Sequence, residues 1–226
     1  MIGNTDTTVR QMLALLNREG KNLTKMRNQY NGCWTILERE YTFTTTASED
    51  EYALPDDFGD LLGDTVWDRD SFFEVRGPLA PAEWQAVKSG LAVTPSLRRR
   101  FRIKRIADFS DNTRKFNIDP EPTATGETLV FEYCSKEWTS NAAGSTFAAS
   151  FSADTDTGLL DEDLLEMGLI WRFKAAKRFD FAAELAEYEI ERDRRFALDA
   201  GTTRVFMARR RFILPPANVP ETGFGA

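Results

Sequence analysis

The chain has 226 residues, a formal net charge of −7 and no histidine. Without histidine the commonest general base and the commonest transition-metal ligand are gone, and Ser-His-Asp and Cys-His catalysis are excluded in their standard forms. An acidic balance argues against a free nucleic-acid binder, although an acidic wall lets DNA slide past without sticking.

Hydrophobic residues make up 42% and charged residues 29%, as in an ordinary soluble globular protein. The length suits one large domain or one domain carrying an insertion. No apolar run approaches the roughly 20 residues that span a bilayer, and the polar stretch Met1 to Arg10 has no signal-peptide core. The expectation is a protein of the cytoplasm, or of something assembled there, with no membrane partner. The two cysteines, Cys33 and Cys134, are too few for a disulfide framework or a zinc site and are expected as buried free thiols.

In chain order, Val9, Met12, Leu13 and Leu16 recur at helical spacing and predict a helix from Thr5 to Arg18, ended by Gly20. Leu23, Met26 and Tyr30 predict a second short helical piece. Trp34 to Thr46 alternates and is rich in β-branched residues, which predicts a strand or hairpin. Pro55 forces an extended or turning backbone around it. Val66 to Asp68 and Phe72 to Val75 read as short strands. Pro81 to Ser89 reads as a helix with proline in its first turn. Strands follow around Phe101 and Ile103, around Phe116 and Ile118, and from Leu129 to Cys134. Asn141 to Gly158, rich in small residues, reads as a surface loop or weak hairpin. Helical spacing returns from about Leu159 to Arg178 and from about Asp180 to Asp199, where Glu191 and Arg195 stand four apart as an exposed pair.

The predicted fold class is α+β. An antiparallel helical bundle of the N- and C-terminal helices (residues 1–33 and 153–200) would carry a small antiparallel β-rich insertion (34–152). An extended arm (201–226) would follow.

Little in the chain reads as a chemical centre. There is no Gly-rich phosphate loop, no HExxH, no CxxC and no GxSxG. Asp154-Thr155-Asp156-Thr157-Gly158 has some likeness to a calcium loop, but it lacks the third ligand and the closing glutamate. Acidic residues before a helix are accounted for by capping and the helix dipole. Glu38, Glu40, Asp56 and Asp57 read as surface charges, because nothing sets two of them across a cleft. The five tryptophans read as core or interface anchors. No catalytic residue, metal or cofactor is expected.

Two features point to interaction instead. Arg98, Arg99, Arg100, Arg102, Lys104 and Arg105 form a basic run on a strand, suited to a neighbouring subunit or to DNA in a channel. The arm mixes Arg204, Arg209, Arg210 and Arg211 with Phe206, Phe212, Ile213 and Leu214. Left exposed, that apolar surface is a liability; covered by another chain, it supplies anchors and charge-assisted contacts.

Several segments, in order, resemble the head-to-tail adaptors of tailed bacteriophages. They are Tyr52 to Phe58, Val66 to Arg69, Gly77-Pro78-Leu79 with Glu83-Trp84, Phe101 to Ile103, Gly126 to Tyr133, and Asp154 to Arg172. The resemblance covers most of the chain before the arm. It implies a structural, non-enzymatic protein of the virion at the head–tail interface. It implies a ring of twelve copies below the portal, a C-terminal segment reaching the portal protein, and a lower face that receives a tail or nozzle protein. Viral DNA would pass through the lumen without sequence-specific binding. Two rival readings are a virion-associated cell-wall hydrolase and a carbohydrate-binding tail module.

Overall fold

The computed structural model describes residues 2–3, 6–27, 32–89, 99–105 and 114–199. Helix α1 spans Thr7–Leu23 and is capped by the Asp6 carboxylate, which accepts from the N–H groups of Thr8 and Val9. It runs straight through Gly20, which does not end it. Gly20 is instead a close-packing position: a Cβ there would lie 2.2 Å from the Trp138 ring. Among the described residues no second short helical piece follows, since Leu23 ends α1 and Met26 is non-helical; Tyr30 lies outside the described residues.

A 3-10 turn at Thr35–Leu37 leads into β1 (Glu38–Thr44). β2 (Glu51–Ala53), β3 (Phe58–Leu61), β4 (Trp67–Asp68) and β5 (Phe73–Glu74) follow. Helix α2 (Pro81–Lys88) begins with Pro81, and the Glu83 carboxylate accepts from the Ala80 N–H. Then come β6 (Arg100–Arg105), β7 (Arg114–Asp119), β8 (Thr128–Ser135), β9 (Thr139–Ser140), β10 (Phe147–Ala148) and β11 (Thr157–Gly158). Two helices close the described chain, α3 (Glu162–Ala176) and α4 (Ala182–Asp199).

These strands make three antiparallel sheets among the described residues. The first has the order β1-β8-β4-β5, with β3 also on β8. β8 is its axis, with Glu38 opposite Cys134 and Thr44 opposite Thr128. The second has the order β2-β7-β6 and the third the order β10-β9-β11.

The expected helical bundle is therefore wrong. The protein is mixed α and β, but its architecture is three antiparallel sheets with four helices among the described residues. The cause is visible in the side chains. The longest strand, β8, is buried on both faces through most of its length, so elements must cover both. The stretch read as a surface loop or weak hairpin supplies β10 and β11, which pair not with each other but each with β9. Its strands close over Trp138, whose indole N–H donates to the Ala149 carbonyl at 2.9 Å.

Two cores result. One is a set of rings between the sheets. Phe101, Phe116 and Phe131 form a column with centroids 4.8 and 5.5 Å apart, and Phe43 meets Phe116 edge-on at 5.6 Å. The other joins Leu23, Trp34, Leu37, Trp138, Leu164 and Phe196 between the helices and the end of β8. Cys33 and Cys134 meet inside it as a disulfide, with Cα atoms 6.3 Å apart. The free thiols read from the sequence are corrected by that pairing, since Glu38 lies opposite Cys134 and brings the preceding turn onto β8.

Glu19 fixes the three long helices. It is fully buried on α1 and accepts from the Arg172 Nε of α3 and the Tyr188 hydroxyl of α4. Gly168 makes room for it: a Cβ there would lie 2.4 Å from the Glu19 Cγ.

Candidate functional site

Three surfaces stand out among the described residues. The first is the tip between β4 and β5. Asp68 accepts from the N–H groups of Asp70 and Ser71 at 3.0 and 2.9 Å, and its other oxygen pairs with Arg99 at 3.3 Å. Asp70 accepts from the Thr128 N–H, and Arg69 pairs with Glu40 at 3.1 Å. This braced tip holds Phe72 82% exposed, with φ of 58°. A phenylalanine in the left-handed region stores about 1 kcal/mol or more of strain. Beside it lies a cavity of about 430 Å³ floored by Trp67 and Val130 and walled by Glu40 and Glu132. The tip thus presents an exposed aromatic ring beside a hollow of mixed lining, with Trp67 and Val130 among acidic side chains. The sequence placed Phe72 inside a strand; the signal that marks it is the Asp68-Arg69-Asp70-Ser71 turn before it.

The second is the outer face of β6. Arg100, Arg102 and Lys104 alternate there against Phe101 and Ile103 on the core side. Across the strand pair, Lys104 faces Lys115 and Arg105 faces Arg114, so like charges stand opposite one another. The Lys104 ammonium lies 5.8 Å from the Trp84 ring centroid, and the Arg114 guanidinium 5.1 Å from that of Phe58. Arg99 lies apart from this face, paired with Asp68 and Glu127. Arg98 lies outside the described residues.

The third is a groove of about 740 Å³ between α3 and α4, lined by Asp163, Glu166, Met167, Ile170, Glu187 and Ile190, with Glu191 and Arg195 at one end. Arg195 donates to Glu191 at 2.6 Å and also pairs with Asp161 and Asp163. The Arg194 and Arg195 guanidiniums hold the Glu191 carboxyl well below its usual range, at about 2. The exposed pair read from the sequence is thus part of a larger network.

Several of the acidic residues considered for chemistry have structural partners. Asp156 accepts from the N–H groups of Ser152 and Ala153 and the Ser152 hydroxyl, which shapes a turn. Asp154 accepts from the Ile2 N–H at 2.7 Å. Asp57 accepts from the Tyr133 hydroxyl at 2.7 Å and pairs with Arg39 at 3.1 Å. Burial first, and then that Asp57 bond, pushes the Tyr133 phenol up; burial and Glu19 do the same to Tyr188. Both displaced phenols belong to buried side chains. The arm residues Arg204, Phe206, Arg209, Arg210, Arg211, Phe212, Ile213 and Leu214 lie outside the described residues.

The family model for the SU10 adaptor protein matches residues 1–213, and the chain belongs to that family of phage head-to-tail adaptors. Membership makes it a structural component of the phage virion and implies association with portal and tail proteins. No curated protein matches the chain. Among the described residues, no helix is long and apolar enough to cross a membrane.

Proposed function

We propose that the chain is the repeating subunit of a ring below the portal, which continues the DNA channel and receives the tail. The observation that carries this reading is the family match over residues 1–213. It takes in the folded body and the basic, apolar run from Arg204 to Ile213 as one unit. A ring needs two different complementary faces on each subunit. The Phe72 tip and the helical groove are two such faces, unlike in shape and chemistry. The arm residues Arg204, Phe206, Arg209, Arg210, Arg211, Phe212, Ile213 and Leu214 dock on portal, where arginines meet acidic groups and the apolar side chains are buried. The basic strand, with Arg100, Arg102 and Lys104, faces the lumen or a neighbouring subunit.

Sedimentation velocity with and without portal tests the reading. The expected result is a monomer or weak oligomer alone and a closed ring with portal. A tight lone dimer indifferent to portal contradicts it.

A further inference from the structure

We infer that the groove between α3 and α4 is the resting place of the chain's own C-terminal segment, residues 204–214. The inference rests on the reading of that segment as a docking arm and adds where it lies before it docks. The groove is apolar along its floor, where Met167 and Ile170 face Ile190, which is 71% exposed. Its rim is acidic. Asp163 and Glu191 are already answered by Arg195, whereas Glu166 and Glu187 join no ion pair among the described residues. The segment supplies the complement: Arg204, Arg209, Arg210 and Arg211 interleaved with Phe206, Phe212, Ile213 and Leu214. Burying Ile190 and pairing two open carboxylates with arginine both favour the contact.

The path is short and its origin is fixed. α3 and α4 run antiparallel, so Arg195 near the end of α4 reaches Asp161 and Asp163 at the start of α3. The groove therefore opens where α4 ends. That end is pinned, because Asp199 accepts from the N–H and the hydroxyl of Thr35 at 2.7 and 2.8 Å. From Asp199 back to Ile190 is about 14 Å along the helix. Residues 200–204, extended, span about 17 Å. A segment tethered this closely has an effective concentration in the millimolar range. The same segment on a neighbouring copy, present at micromolar concentration, competes poorly.

Cross-linking of the full chain tests this. Ile190→Cys and Phe206→Cys are introduced together and treated with a short bismaleimide at about 1 μM protein. Cys33 and Cys134 are buried and joined to each other, so only the new thiols react. The expected product is a link at monomer mass. Its yield falls about tenfold when Glu166→Gln and Glu187→Gln are added, and falls likewise when salt shrinks the Debye length to about 3 Å. A link at dimer mass assigns the groove to a neighbour's arm and overturns the inference. So does absence of any link while both thiols still take a monofunctional maleimide. Portal binding is scored separately by co-sedimentation. A chain that links at monomer mass but ignores portal breaks the docking role alone; a chain that binds portal without linking breaks the groove assignment alone.

Discussion

The ring core between the sheets and the core on the helical side are held in different ways. Between the sheets, Phe43, Phe101, Phe116 and Phe131 turn inward and contact one another, and no charged side chain is fully buried among them. On the helical side the helices are joined through a buried carboxylate, Glu19, with Arg172 and Tyr188. A stack of rings needs only exclusion of water, whereas a buried carboxylate needs each partner in place. The outer surfaces differ in the same sense. Ile170, Phe179, Ile190 and Leu198 stand exposed on or beside α3 and α4, whereas the sheets expose apolar side chains chiefly at the Phe72 tip. The helical side keeps its free apolar side chains outward, on the surface of α3 and α4.

Substitutions on the two sides sharpen the contrast. Phe116→Ala removes a fully buried ring at the centre of the column, and about 4 kcal/mol of stability should go with it. Urea unfolding measures this as a lower midpoint with unchanged slope. Glu19→Ala leaves the Arg172 charge without its buried partner and should cost about 3 kcal/mol. A companion Arg172→Met should recover part of that loss, which a ring stack would not allow. Gly20→Ala drives a methyl into Trp138 and should cost about 1–3 kcal/mol, seen in the same titration.

Alkaline pH should test both cores together. The Tyr133 and Tyr188 phenols are raised in the fold, by burial and by the carboxylates of Asp57 and Glu19. Stability from a raised phenol is fully present below its unfolded value and is lost as pH rises toward the folded one. The unfolding midpoint should hold to about pH 10 and fall above it. The double variant Tyr133→Phe and Tyr188→Phe should flatten that fall. The smallest effect on folding is expected at the tip. Phe72→Gly relieves a strained backbone and should change stability by no more than about 1 kcal/mol. Ring assembly with portal should nonetheless weaken.

Much of this contrast was legible in the chain. Alternation located β6, β7 and β8, and helical spacing located α3 and α4 to within a few residues. Pairing was not legible, because it joins residues far apart: Glu38 meets Cys134, and Tyr52 meets Phe116. The expectation of a helical bundle arose from helices at both ends, and spacing alone does not reveal how many strands β8 gathers. Gly20 misled because a glycine that ends a helix and one that admits a tryptophan look alike in sequence. Of the surfaces described, the basic strand could be located, since its basic residues alternate with core residues. The α3–α4 groove could not, because only the packed pair of helices brings Glu166 and Glu187 to one rim.

The arm carries the account's central claim, and deleting Thr202 to Ala226 tests it most directly. Co-sedimentation with portal should be lost while the remaining body still unfolds in one cooperative step, destabilised by no more than about 1–2 kcal/mol as the arm's contact with its groove is removed. A shortened chain that binds portal as well as the full one would contradict the account.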